Sequence, residues 1–166
     1  MFLYAAYGSN LNKEQMQRRC PQSKPYDTIT LKDWRLVFKG VADIEKKKGH
    51  NVYLGLYKIT KDCEKQLDVY EGYPEIYGKY YICRHLKGEN VKIMYYVMNK
   101  RFNYSIPTER YFKVIFRGYK NWSFNLENLY VAGKHSIDNN TFKGYKSKNW
   151  KEKKYISLEY FNNFKF

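Results

Sequence analysis

Two short clusters in this chain carry the residue types of small-molecule chemistry. The first is Tyr7-Gly8-Ser9-Asn10-Leu11. Gly8 permits an unusual backbone angle or the close approach of a ligand, and Ser9 and Asn10 suit the cap of a helix. With a short helix over 13–19, free N–H groups at its start face a bound anion. The second cluster, Leu67-Asp68-Val69-Tyr70-Glu71-Gly72, puts a carboxylate at the end of an expected helix. A backbone cradle and one carboxylate together suit a pocket that holds a small molecule and moves a proton. Each also has a plain reading. Gly-Ser-Asn is a common turn after a strand, and a glutamate before glycine is usually a solvated residue at a helix end.

The elements that position these clusters follow from pattern. Residues 2–7 are apolar and aromatic, as in a buried strand. Residues 28–44 carry Trp34, Leu36, Phe38, Val41 and Ile44 in partial alternation, which reads as one long or broken strand. A charged turn over 45–49 follows, then a well-alternating strand over 51–59. Thr60 caps a helix through Tyr70, with Cys63, Leu67 and Tyr70 on one face, and Gly72 and Pro74 end it. Residues 77–86 and 91–98 form a hairpin around Lys87-Gly88-Glu89-Asn90. Thr108 begins a helix with Phe112, Ile115 and Tyr119 inward, and Ser123 caps another through Ala132. From Lys134 the pattern loses its period, but its aromatic content favours docking over disorder. The expectation is an α+β domain over 1–133 with a basic C-terminal extension over 134–166 docked on it.

Composition narrows the function classes. The 166 residues make one ordinary domain. Lysine and arginine number 31 against 16 acidic residues, a formal charge of +15. That balance favours anionic partners, and 19 tyrosines could stack on bases. The lysines are dispersed, however, and no nucleic-acid-binding signature accompanies them, so nucleic acid is not the expected partner. Cys20, Cys63 and Cys83 are odd in number and widely spaced, which suits free thiols in a reducing, cytoplasmic setting. Cys20 is expected in the core. His50, His85 and His135 are isolated, so no metal is expected. No stretch approaches a membrane span, and the start lacks the pattern of a secretory signal.

The ordered set of motifs resembles the γ-glutamylcyclotransferase-like (AIG2-like) family over about residues 3–131. The set comprises Tyr7 to Leu11, Arg19-Cys20-Pro21, Trp34 to Phe38 with Ala42-Asp43-Ile44, and Val52 to Tyr57. Leu67 to Gly72, Tyr77, Tyr95-Tyr96-Val97 and Pro107 to Tyr111 complete it. The resemblance implies a small mixed β-barrel with short peripheral helices, and no cofactor. It implies release of 5-oxoproline and a free amine from a small L-γ-glutamyl amide. It matches Glu71 to the family's catalytic glutamate, and residues 8–11 to the loop whose backbone amides hold the γ-glutamyl group. Tyr7, Tyr77 and Tyr111 match its pocket tyrosines. Apolar and aromatic neighbours at Leu67, Tyr70 and Tyr73 would raise the proton affinity of Glu71, and Asp68 would repel it or brace the turn. The alternative is a non-catalytic binding module of the same fold, using its basic surface on nucleic acid or a partner protein.

Overall fold

The computed structural model describes residues 2–99 and 101–163. Five strands form one mixed sheet: β1 (Phe2–Ala6), β2 (Lys24–Phe38), β3 (Ala42–Ile59), β4 (Tyr77–Leu86) and β5 (Glu89–Met98), in the order β2-β3-β1-β5-β4. β1 lies in the middle, antiparallel to β3 and parallel to β5. A central strand is flanked by partners on both sides, so its residues are covered. Leu3 to Ala6 are all buried, as their apolar run requires. The α+β class is as expected, but the sheet does not close into a barrel. Among the described residues β2 and β4 remain its two edges.

The strand expected over 28–44 is in fact divided. The chain reverses at residues 39–41, where Lys39 N–H donates to the Val41 carbonyl at 2.8 Å and Gly40 has φ +85°. A side chain is rarely tolerated at that angle, and a Cβ on Gly40 would also collide with the Tyr145 carbonyl oxygen. The charged run over 45–49 is not a turn. It belongs to β3, where the pairing register with β2 shifts between Lys32 and Trp34, and Gly49 N–H donates to Asp33 Oδ1 at 2.9 Å. A bulge of this kind keeps charged side chains in water without ending the strand.

The described residues also form five α-helices: α1 (Lys13–Arg19), α2 (Lys61–Glu71), α3 (Glu109–Asn121), α4 (Leu126–Asp138) and α5 (Leu158–Asn162). Thr60 and Thr108 cap α2 and α3, accepting from Cys63 N–H and Tyr111 N–H. Asn125, not Ser123, caps α4, which runs past Ala132 to Asp138. Along α3 the buried residues Tyr111, Phe112, Val114, Ile115, Gly118 and Tyr119 follow the helical period. That face lies on the 9–11 turn, where a Cβ on Gly118 would stand 2.6 Å from Leu11 Cβ. Cys20 is fully buried, its Sγ 3.6 Å from the Cys63 carbonyl, and burial pushes its thiol pKa up to about 12. No described helix is long and apolar enough to cross a membrane.

Candidate active site

The central strand β1 delivers its following residues to the end of the sheet. Ser9–Leu11 form a single 3-10 turn, closed by Leu11 N–H to the Gly8 carbonyl at 3.0 Å and Asn12 N–H to Ser9 at 3.1 Å. The first N–H groups of such a turn are not used by its own bonds. Asn12, rather than Ser9 or Asn10, caps α1, accepting from Gln15 N–H at 3.0 Å. Ser9 and Asn10 are thereby free for the cavity. Gly8 has φ −106°, so no left-handed angle selects glycine there. Space is tight instead: a Cβ would lie 3.2 Å from Ala42 Cβ and 3.4 Å from the Tyr111 hydroxyl, so Ala42 would have to give by a few tenths of an ångström.

α2 supplies the carboxylate. Glu71 is its last residue, and Gly72 follows in the left-handed region at φ +63°. Gly72 N–H bonds the Asp68 and Val69 carbonyls, and Tyr73 N–H donates to Asp68 at 2.9 Å. This C-cap stops the helix just as Glu71 reaches the turn. Asn10 Nδ2 donates 2.9 Å to Glu71 Oε1 and 2.9 Å to the Tyr4 hydroxyl. Asn10 Oδ1 accepts from Arg19 at the end of α1. A cation on Oδ1 fixes which way round the amide sits, so its N–H groups must face Glu71 and Tyr4. Arg19 in turn lies 3.5 Å from the centre of the Tyr70 ring.

Burial raises the pKa of Glu71 to about 7, against smaller downward pulls from Arg19 and the Asn10 hydrogen bond. Among the described residues no cation lies within ion-pair reach of Glu71. Arg19 reaches it only through its longer-range field and through Asn10, whose Oδ1 it holds. The wall around the carboxylate includes Tyr4, Tyr7, Tyr70, Tyr77, Tyr96 and Trp150. Leu67 lies in the core and Tyr73 is 44 % exposed, so neither expected neighbour lines the cavity. Asp68 does not act on Glu71 as a free charge. It pairs with Lys79 at 2.8 Å and accepts from the Tyr96 hydroxyl at 2.6 Å.

The chain matches the family model described as gamma-glutamyl cyclotransferase, AIG2-like, over residues 4–113. The chain belongs to this family. A gamma-glutamylcyclotransferase of Bos taurus is 31% identical over 161 residues, covering 86% of this chain and 82% of that protein. The gamma-glutamylcyclotransferase of Homo sapiens is 28% identical over 160 residues with the same coverage. A solved structure titled gamma-glutamyl cyclotransferase superposes with a TM-score of 0.70 at 26% identity, over 89% of this chain and 94% of that one.

Within this γ-glutamyl cyclotransferase-like fold, Tyr7, Gly8, Ser9, Asn10, Glu71, Tyr77 and Tyr111 all line one cavity, whereas Leu11 does not. Leu11 is fully buried, and its carbonyl accepts from Trp122 Nε1 at 2.9 Å. The three tyrosine hydroxyls are engaged with main chain. Tyr7 donates to the Tyr96 carbonyl at 2.8 Å and Tyr77 to the Ala42 carbonyl at 2.5 Å, while Tyr111 accepts from Ala42 N–H at 3.0 Å. Sequence reasoning assigned no role to Arg19, Tyr4 or Trp150. Trp150 Nε1 donates 3.2 Å to the Tyr70 hydroxyl, which also meets Ser9 Oγ at 2.9 Å. Trp150, Tyr145, Ser147 and Asn149 come from beyond the matched span and had no periodic signal to announce them.

Proposed function

We propose that the protein releases 5-oxoproline and a free amine from an L-γ-glutamyl amide. The substrate's own α-amine attacks its γ-carbonyl carbon, closing a five-membered lactam, and the bond from that carbon to the departing nitrogen breaks. Glu71 accepts a proton from the α-ammonium, which frees the attacking lone pair, and donates a proton to the departing nitrogen. The ring nitrogen sheds its remaining extra proton, and the amine carries it away as ammonium. The protein supplies no nucleophile.

The observation that carries this reading is the poise of Glu71 at about 7 inside an aromatic cavity. Raising the carboxyl this far brings it closer to the basicity of an α-amine, so the proton transfer is far less uphill than it would be to an ordinary carboxylate. An ordinary carboxylate, near ~4, would take that proton several orders of magnitude less readily. The unused N–H groups at the start of the 9–11 turn suit the γ-carbonyl oxygen as charge develops on it. Tyr7, Tyr77 and Tyr111 shape the pocket, and Leu11 supports the turn from beneath. The cavity has only about 40 Å³ of free volume, so a glutamyl group enters as walls give way. Tyr145 and Trp150, outside the sheet, are the side chains to move.

The test is to incubate the purified protein with L-γ-glutamyl amides and identify the acid released. The expected product is 5-oxoproline, with the N-acetylated amides left intact because their α-nitrogen can no longer attack. Release of glutamate, or equal consumption of the N-acetylated amides, would mean that water is the nucleophile and would defeat the proposal.

A further inference from the structure

Ala42 lines the Glu71 cavity, and its neighbour Asp43 forms a buried ion pair that the proton transfer does not use. Lys39 Nζ meets Asp43 Oδ2 at 2.7 Å, with the two side chains 12% and 1% exposed. The pair spans the chain reversal between β2 and β3. The other carboxylate oxygen, Asp43 Oδ1, accepts from Met98 N–H at 2.9 Å. In the strand order β1 separates β3 from β5. Asp43 therefore joins the start of β3 to the end of β5 past the central strand.

That link closes a ring of bonds beside the pocket. Met98 is the ladder partner of Tyr77. The Tyr77 hydroxyl returns to the Ala42 carbonyl at 2.5 Å, and the N–H of the same Ala42 donates to the Tyr111 hydroxyl at 3.0 Å. One residue thus holds the hydroxyls of two cavity tyrosines, which reach it from β4 and α3. A methyl side chain has no polar atom with which to anchor its own backbone. The anchor is next door, in the carboxylate of Asp43. A buried ion pair adds little net stability, because the cost of taking both charges out of water offsets their attraction. Its geometry is nonetheless exacting, since either charge alone would be buried without compensation.

We infer that Lys39 and Asp43 are positioning residues for the Glu71 cavity. The pair fixes Ala42, and Ala42 fixes the Tyr77 and Tyr111 walls against which a substrate is oriented. Neither Lys39 nor Asp43 lines the cavity, so both act through Ala42. The consequence for turnover rests on the cyclisation reading above, whereas the placing of the two tyrosines does not. A displacement of about 1 Å in such a wall is enough to cost about 10²-fold in rate.

The experiment uses the Lys39→Met/Asp43→Asn protein, which removes both charges, leaves neither buried alone and keeps an acceptor for Met98 N–H. Its urea midpoint should match or exceed that of the natural protein. Its kcat/KM, followed as amine release from an L-γ-glutamyl amide, should nevertheless fall about tenfold or more. Lys39→Met alone should lose at least as much, and Lys39→Arg, which restores a cation, should recover most of the loss. A merely structural pair would move the urea midpoint and leave kcat/KM of the folded protein unchanged, and that result overturns the proposal. A second measurement needs no turnover. With fluorotyrosine placed at Tyr77, and in a separate protein at Tyr111, the fluorine resonances should move in the double variant and return in Lys39→Arg. Resonances that stay fixed in the folded double variant also overturn the proposal. If the natural protein forms no 5-oxoproline, the cyclisation reading fails and the fluorine resonances alone decide the positioning. Should the double variant not fold, Lys39→Gln, which keeps a donor to Asp43, carries both measurements with the same expectations.

Discussion

Glu71 shows how the same residue type acquires different chemistry from its surroundings. Glu64 and Asp68 lie on the same helix, and both pair with Lys79 at its surface. Glu71 has no such partner, and burial moves it to about 7 from an ordinary 4.5. A carboxyl whose folded pKa exceeds its unfolded one favours the fold most below the unfolded value. That stability is lost as pH rises through the folded value, a difference of about 3 kcal/mol across pH 4 to 8. Glu71→Gln should therefore be more stable than the natural protein at pH 8 and nearly equal at pH 4, as read by urea unfolding. Parallel stabilities at both pH values would contradict the buried carboxylate. Arg19 pulls in the other direction, towards ionisation. Arg19→Met should move the acid limb of the kcat/KM profile to higher pH, and a limb that stays put would remove Arg19 from the site's electrostatics. The carboxylate was legible in the sequence because a helix stop after Glu71 is written in Gly72. The role of Arg19 was not, because its place in the Arg19-Cys20-Pro21 motif does not say what it touches until α1 and the 9–11 turn bring it to Asn10.

At the scale of elements, strands and caps with strong local chemistry were legible. Thr60, Thr108 and the alternation over 51–59 all correspond to the observed elements. The β2–β3 reversal was misplaced because Lys46-Lys47-Lys48-Gly49 has the composition of a turn, whereas Gly40 sits in an apolar stretch. What decides between them is tertiary: Tyr145 packs against Gly40, and its N–H donates to the Lys39 carbonyl at 2.7 Å. The other hidden dependence is the seat of the 9–11 turn on α3. Gly118→Ala would set a Cβ 2.6 Å from Leu11 Cβ and 2.8 Å from Asn12 N. Overpacking of this kind costs about 1–3 kcal/mol. Urea unfolding should register that loss, and KM should rise as Ser9 and Asn10 shift with the turn. Unchanged stability and KM would show that α3 does not set the turn's position.

At the scale of the whole molecule, the net charge of +15 is spread over nearly the entire sequence. Dispersed surface charge predicts weak nucleic-acid affinity that falls steeply with salt and ignores sequence. Titration with unrelated single strands and duplexes at two salt concentrations would show it. Tight, sequence-selective binding at physiological salt would instead make the basic surface functional. The segment after residue 133 is the part least legible in the sequence, since its aromatic residues have no period. In the structure Trp150, Ile156 and Phe161 are buried, and the Phe161 ring lies 5.3 Å from that of Phe112 on α3. Such contacts join positions far apart in the chain, which local patterns do not encode. Truncation after residue 133 should therefore lower the urea midpoint markedly and abolish turnover. A truncated chain as stable and active as the whole would show that the segment merely rests on the surface.

The central claim is that Glu71 carries the proton, and turnover by Glu71→Gln tests it most directly. The substitution keeps size and an acceptor for Asn10 while removing the exchangeable proton. Measured as 5-oxoproline release from an L-γ-glutamyl amide, kcat should fall about 10²- to 10⁴-fold, with 5-oxoproline binding retained and the circular dichroism unchanged. Near-natural turnover in the folded variant would contradict the account and leave Glu71 as a buried structural residue.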